Sequence, residues 1–241
     1  MQKYLYEDLY NLEETHWWHI AKRNLMISLL KNNLSGNQNR ILDIGCGTGK
    51  NLEVLERFGV SFGIDSSPQA ILYCKKRGIK NVVKGNIERM PFTRESFDAI
   101  TALDVLEHVD DQEALKEVYR VLKRGNVLII TVPAYPELWS KWDEVLNHKR
   151  RYAKKQLENL LKENGFKILK ISYAFSFLFL PALIVRLIKK RIYKNHYPSD
   201  FQISNRPINF LLTGISAIEK FFIVKIGVPF GTSLIAVALK N

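Results

Sequence analysis

Residues 41–50 read ILDIGCGTGK. The apolar run carries an acid near its end, Asp43, and glycines then stand on alternate positions, Gly45, Gly47 and Gly49. Such a run reads as a strand delivering the chain into a tight loop, and the stretch TGKNLEVLERF reads as the helix that follows. Glycines let the backbone turn sharply and approach a ligand, while the first turn of the helix offers N–H groups with no intrahelical partner. A dinucleotide loop needs a third glycine five residues after the first, and that position holds Lys50.

Working outward, the β-rich runs RILDIG, VSFGID, NVVKGN, FDAITALDV, NVLIITVP and FKILKISYAF alternate with amphipathic helical patterns such as DQEALKEVYRVLK. Strand and helix in regular alternation predict an α/β fold, a mostly parallel sheet covered by helices on both faces. Residues 1–39 read as an N-terminal helical cap, with Trp17, Ile20, Leu25, Ile27, Leu30 and Leu34 at helical spacing and NNLSGNQN ending the segment. Residues 40–175 are the expected core. The alternation stops after Phe175, so residues 176–230 read as a helical insertion, and residues 231–241, with TSLIAVALK, as the last strand.

The insertion opens with thirteen uncharged residues, YAFSFLFLPALIV, too short for a span that needs about 20 apolar residues. Its continuation RLIKKRIYKN sets Arg186, Lys189, Lys190 and Lys194 on one helical face and Leu187, Ile188 and Ile192 opposite. That pattern suits either a surface helix packed on the sheet or an anionic membrane surface bound through residues 175–194. The formal net charge of +12 also favours an anionic partner. Two cysteines, Cys46 and Cys74, without metal-ligand spacing imply a reduced, intracellular chain with neither disulfide nor zinc. The expected location is the cytoplasm, at the inner face of the membrane if the insertion binds it.

The glycine loop, Asp65 at the end of GIDSS, KGNIERMPF and FDAITALDVLEHVDD follow one another in an order that resembles the class I S-adenosylmethionine (SAM) dependent methyltransferases. The group with small-molecule and lipid-linked acceptors, which includes the ubiquinone-pathway O-methyltransferases, is the most similar. The resemblance implies a Rossmann-like sheet of seven strands, mostly parallel with an antiparallel last strand. It also implies SAM as cofactor and S-adenosylhomocysteine as product. By the same resemblance Asp43, Gly45, Cys46, Gly47 and Gly49 surround the amino-acid end of SAM, Asp65 and Ser66 the ribose, Asn86 and Ile87 the adenine, and Leu103 and Asp104 the methionine moiety. Asn86 departs from the family, which often has an acid there, but its side-chain carbonyl can accept from the adenine amino group. Trp18 and Arg23, on a helix ahead of the core, are candidate lid residues beside the cofactor.

Methyl transfer to a hydroxyl or amine releases a proton, so a base within hydrogen-bond reach is expected. His108, beside Glu107, is the first candidate, with His148 a further one; the alternative is that Glu107 and His108 only begin a helix and order the loop. Asp104, Glu107 and His108 form D-x-x-E-H, similar to the E-x-x-E-H with which ubiquinone-pathway relatives can hold a divalent metal, but the first acid is shorter and no metal is assigned. After the fifth strand, Tyr135, Trp139, Trp142, Asp143, Arg150, Arg151 and Tyr152 combine aromatic walls with cations. They suit an acceptor with an apolar body and a phosphate or carboxylate. The expected function is methyl transfer to a small-molecule or lipid-linked acceptor, at oxygen. RNA methylation is the competing class, disfavoured because LDVLEH is unlike the [DNS]PP[YFW] of amino-methylating nucleic-acid enzymes; a non-catalytic SAM-binding protein is the third.

Overall fold

The computed structural model describes residues 3–184 and 205–241. The basic helical face expected at residues 186–194 lies outside the described residues. Two helices, α1 (Lys3–Leu12) and α2 (Trp17–Asn33), precede the sheet. The core then runs β1 (Asn39–Ile44), α3 (Lys50–Leu55), β2 (Gly59–Asp65), α4 (Pro68–Lys76), β3 (Val82–Lys84), β4 (Phe97–Leu103), α5 (Asp111–Val121) and β5 (Leu122–Pro133). After it come α6 (Lys141–Val145), α7 (Lys154–Glu163), β6 (Phe166–Ala174), a helical stretch at 179–184, α8 (Arg206–Lys225) and β7 (Ser233–Lys240).

The seven strands lie in the order β3-β2-β1-β4-β5-β7-β6. β1 to β5 pair in parallel, whereas β7 runs antiparallel to both of its neighbours. Both faces of the sheet are covered, so its central strands are apolar at successive positions and the two-residue period divides them between two cores. Leu42, Ile44, Ile100, Leu128 and Ile130 pack with Leu115 and Val118 of α5 and Leu157 and Leu161 of α7. Ile41, Ala99, Val127 and Ile129 pack on the other side with Leu25, Met26 and Leu29 of α2 and Leu52 and Leu55 of α3.

The order reverses between β1 and β4, which opens a crevice at the carboxyl ends of these strands, where ligands of open α/β sheets bind. The glycine loop leaves β1 there, and helix α2 reaches it. The buried residues of α2 include Trp17, Ala21, Leu25 and Leu29, one stripe at intervals of four. His16 caps it by accepting from the Trp18 amide. α8 docks beside α2 through Asn209, which accepts from the Trp17 amide at 2.7 Å and donates to the Thr15 carbonyl at 2.7 Å. Among the described residues α8 is the one helix long and apolar enough to cross a membrane.

Candidate functional site

Gly45 and Gly47 adopt left-handed φ of 64° and 54°. A Cβ at Gly45 would stand 2.6 Å from Val105 Cγ2, so a side chain there meets both strain and a clash. Asp65 fixes the loop from the end of β2, accepting from the Gly47 amide at 3.0 Å and the Ser67 amide at 2.9 Å. One carboxylate oxygen takes each bond, which leaves acceptor capacity on both for a ligand's hydroxyls. Beneath the loop, buried Asp43 accepts from Thr101 Oγ1 at 2.5 Å and ties β1 to β4. Burial pushes its carboxyl up to about 7. Cys46 is buried, and the Cys74 thiol donates to the Gly47 carbonyl. Ser66 and Asn86 are exposed at the rim, Ile87 is buried, and Asn86 Oδ1 accepts from the Glu88 amide at 2.9 Å.

The N-terminal helices close over this loop through residues that the motif reading passes over. Thr48 donates to Glu13, which also receives Arg77 at 2.6 Å, while Arg77 reaches Glu14 at 2.8 Å. Tyr6 is buried, with Asp65 and Ser67 beside its phenol, and Leu9 Cδ2 lies 3.3 Å from where a Cβ of Gly47 would be. Lys22, also buried, forms an ion pair with Asp104 and stands 4.3 Å over the ring of Trp18. Residues four apart share a helix face, so Trp18 was the clue to Lys22. Arg23, one position further round, faces away from Asp104 and donates to the Glu13 carbonyl at 2.9 Å. The pair Trp18 and Arg23 therefore divides. Trp18 joins the β4 end through Lys22, whereas Arg23 braces α1.

At that strand end Leu103 is half-buried and Asp104 takes a left-handed φ of 57°, with Thr131 Oγ1 donating to its carboxylate at 2.8 Å. The carboxylate is thus held by Thr131 and Lys22, apart from Glu107. Glu107 is fully buried and neither carboxylate oxygen has a hydrogen-bond partner. Burial pushes this carboxyl upward, opposed by the charges of Lys22 and Arg151. The His108 and His148 rings lie 4.8 Å apart, edge to face. His108 Nδ1 meets the Asn147 carbonyl at 3.3 Å and His148 Nδ1 meets Asp143 at 2.9 Å. A carbonyl or carboxylate oxygen only accepts, so each Nδ1 carries a hydrogen and each Nε2 is left out of these bonds. Burial and His148 hold His108 down at about 4, so it is neutral at physiological pH. Glu107, His108 and His148 each bring one ligand atom within 4.8 Å of the others, a set that could hold a metal ion among the described residues.

The loop after β5 corrects the expectation of a cationic clamp. Arg151 is buried, donating to Asp143 at 2.8 Å and to the Ala134 carbonyl at 3.2 Å. Arg150 is paired with Asp111 at 2.7 Å. Both cations therefore already have counter-charges within the protein, which blunts them as receptors for an acceptor's phosphate. Asp143 is an internal hub: burial would raise its carboxyl, but His148, Arg151 and the Ser140 amide hold it well below the usual range. Tyr152 is fully buried and donates to Asp111 at 2.7 Å, so it is a core residue rather than an acceptor contact. The aromatic wall fares better. Tyr135 stacks on Tyr173 at 5.1 Å, Trp139 is 39% exposed and Trp142 is half-buried.

Residues 42–130 match the family described as "Methyltransferase domain". The O-methyltransferase resE of Aspergillus sclerotiorum is 32% identical over 148 residues, covering 55% of this chain and 56% of its own. The malonyl-[acyl-carrier protein] O-methyltransferase of Herminiimonas arsenicoxydans is 31% identical over 136 residues, covering 53% and 52%. The chain spans about half to two thirds of the length of the curated relatives it matches. A solved SAM-dependent methyltransferase from Thermotoga maritima shares the fold, with a TM-score of 0.64 at 20% identity over 98% of this chain and 95% of that one.

Proposed function

We propose that this chain, whose core is a class I SAM-dependent methyltransferase domain, methylates an oxygen of a small-molecule or lipid-linked acceptor and leaves S-adenosylhomocysteine. The observation that carries the reading is the Asp143–His148 pair beside His108. It presents an oriented imidazole near the β4 end, at the sheet edge where the glycine loop stands. The O-methyltransferase relatives support oxygen as the atom methylated.

SAM supplies, when bound, a methyl group made electrophilic by a sulfonium. The backbone of residues 45–49 would hold its amino-acid end, Asp65 would accept the ribose hydroxyls and Asn86 Oδ1 the adenine amino group. Lys22 on Asp104 closes the strand end under α2 and keeps water from the transfer line. Positioning of this kind supplies most of what an in-line transfer requires. His148 takes the acceptor's hydroxyl proton on Nε2, with Asp143 holding the ring and stabilising the imidazolium that forms. Tyr135, Trp139 and Trp142 would border an apolar acceptor body.

The test is to incubate the purified protein with methyl-labelled SAM and a cell extract, then to count lipid, small-metabolite, RNA and protein fractions. Label is expected in the organic-soluble or small-metabolite fraction and lost in His148→Gln. Label in RNA would overturn the acceptor class, and label in no fraction would favour a non-catalytic SAM-binding protein.

A further inference from the structure

α8 has two unlike faces. Inward, Ser216, Glu219 and Ile223 are buried, and Glu219 accepts from the Phe175 amide at 2.7 Å and the Ser176 amide at 2.6 Å. Outward, Phe210, Leu211, Ile218, Phe221 and Phe222 are all exposed, Phe210 to 83%. At 100° per residue, these fall with Pro207, Gly214 and Ala217 on one side of the helix, which Lys225 joins at the last turn. Ile226 and Phe230 extend the apolar surface beyond its end. Next to Ile218 and Phe222 a groove of about 250 Å³ runs between Phe177, Ile215 and Val228.

An apolar side of this extent on a helix is unusual for a surface that faces only water. We propose that it is a monotopic docking surface for an anionic lipid bilayer, with α8 lying in the interface rather than crossing it. The charges select this occupant. The cations of α8 are Arg206, Lys220 and Lys225, and its single acid, Glu219, is buried on the inward side. The sequence just ahead, residues 185–204, adds five Lys or Arg against one Asp. Two copies meeting through this face would confront cation with cation, whereas anionic headgroups complement it. Crossing is disfavoured by the inward side, because Asn209 and Glu219 would have to leave their partners on Thr15, Trp17, Phe175 and Ser176.

The surface adjoins the chemistry. Phe230 contacts Phe179 at 5.8 Å, Phe179 contacts Tyr135 at 5.1 Å, and Tyr135 follows the carboxyl end of β5. An aromatic run thus leads from the docking side to the loop after β5. α8 is also bonded to α2, which carries Trp18 and Lys22. Docking holds that edge of the sheet beside the bilayer, a consequence that does not depend on which acceptor is methylated.

The experiment is flotation of the full chain with vesicles of phosphatidylglycerol and phosphatidylcholine in equal parts, against phosphatidylcholine alone. The protein is expected to float with the anionic vesicles and to bind neutral ones at least about tenfold less. The double variant Phe210→Ser/Phe221→Ser should lose at least about tenfold in partition to the anionic vesicles, because both rings leave the interface. Its melting temperature and SAM affinity should stay as in the wild type, which separates loss of docking from loss of fold and from failure of the methyl-transfer reading. Absence of vesicle binding, or equal binding by the variant, would overturn the proposal. A concentration-dependent dimer that the same variant abolishes would also overturn it, by assigning the face to a second copy.

Discussion

The glycine loop and the loop after β5 stand at the same edge of one sheet, but their polar groups are deployed in opposite ways. In the first, buried Asp65 takes one backbone amide on each oxygen and keeps acceptor capacity on both. In the second, Asp143 with Arg151 and Asp111 with Arg150 and Tyr152 bind one another. What is left over there is the Nε2 of two histidines and the unpartnered carboxylate of Glu107. One region keeps acceptors in reserve. The other is made rigid by internal ion pairs, so its chemistry rests on a few groups that those pairs do not use.

The comparison breaks most readily at Asp143. Asp143→Ala strands Arg151 in a buried site without a counter-charge, and it frees His148 and Ser140. Loss of one partner of a buried ion pair costs about 3–5 kcal/mol, and urea unfolding is expected to show a loss of that size. SAM affinity of the folded protein should change by less than roughly twofold, since distant sites act independently. A large change in SAM affinity would mean that the two regions form one cooperative unit.

The reciprocal change is Asp65→Ala. It removes the carboxylate from the Gly47 and Ser67 amides and from the ribose hydroxyls that we propose it binds. Two charge-assisted bonds to a ligand amount to about 3 kcal/mol, which corresponds to a dissociation constant for SAM raised about 100-fold by calorimetry. Stability should fall by only about 1 kcal/mol. If stability suffers more than binding, Asp65 is a structural brace like Asp143, and the contrast between the loops disappears.

This contrast also explains what the sequence disclosed. A strand, a turn and a helix in immediate succession leave a local signature, so residues 41–65 could be read directly, as could the alternation that builds a mostly parallel sheet, whereas the antiparallel final strand was implied by the family resemblance alone. Ion pairs across the chain leave no such mark. Arg150 looked like a free cation because Asp111 lies 39 positions away, and Arg151 did because a separation of eight residues to Asp143 follows no helix or strand period. Glu13, Tyr6 and Arg77 were passed over because a helix laid across a loop has no spacing rule. Lys22 was the exception that could have been found, standing four residues beyond Trp18 on the same face. The exposed side of α8 was obscured because a polar inward face with Asn209, Ser216 and Glu219 gives the helix a mixed composition.

The proton chemistry of the rigid region sharpens the comparison further. Burial and His148 depress His108 from its usual 6.5 to about 4, so the folded state binds this proton less readily than the unfolded chain. The stability it contributes is present above pH 6.5 and is lost as pH falls from 6.5 toward 4. In His108→Gln this component is gone. The difference in unfolding free energy between variant and wild type should therefore shift by on the order of 2 kcal/mol across that window. A pH-independent difference would show that His108 is solvated and poised near neutrality. The same protein permits a check on the metal set of Glu107, His108 and His148: activity lost to a chelator and restored by Mg²⁺ would assign these residues to an ion, leaving no role for His148 as the proton acceptor.

The smallest expected effect lies at Asn86, on the rim of the glycine-loop region. Its side chain is exposed and already accepts from the Glu88 amide. A neutral hydrogen bond at a wet rim contributes about 0.5–1 kcal/mol, so Asn86→Ala should weaken SAM binding only about two- to fivefold. That loss alone is ambiguous, because it also relaxes the turn at Glu88. Asn86→Asp separates the two roles. An aspartate oxygen still accepts from Glu88 and offers a stronger, charged acceptor to the adenine amino group, so SAM should bind more tightly, whereas inosine-bearing SAM, which lacks that amino group, should not gain. Equal affinity for both nucleosides in both variants would confine Asn86 to holding its turn, and the adenine would then be recognised through its ring alone, against buried Ile87.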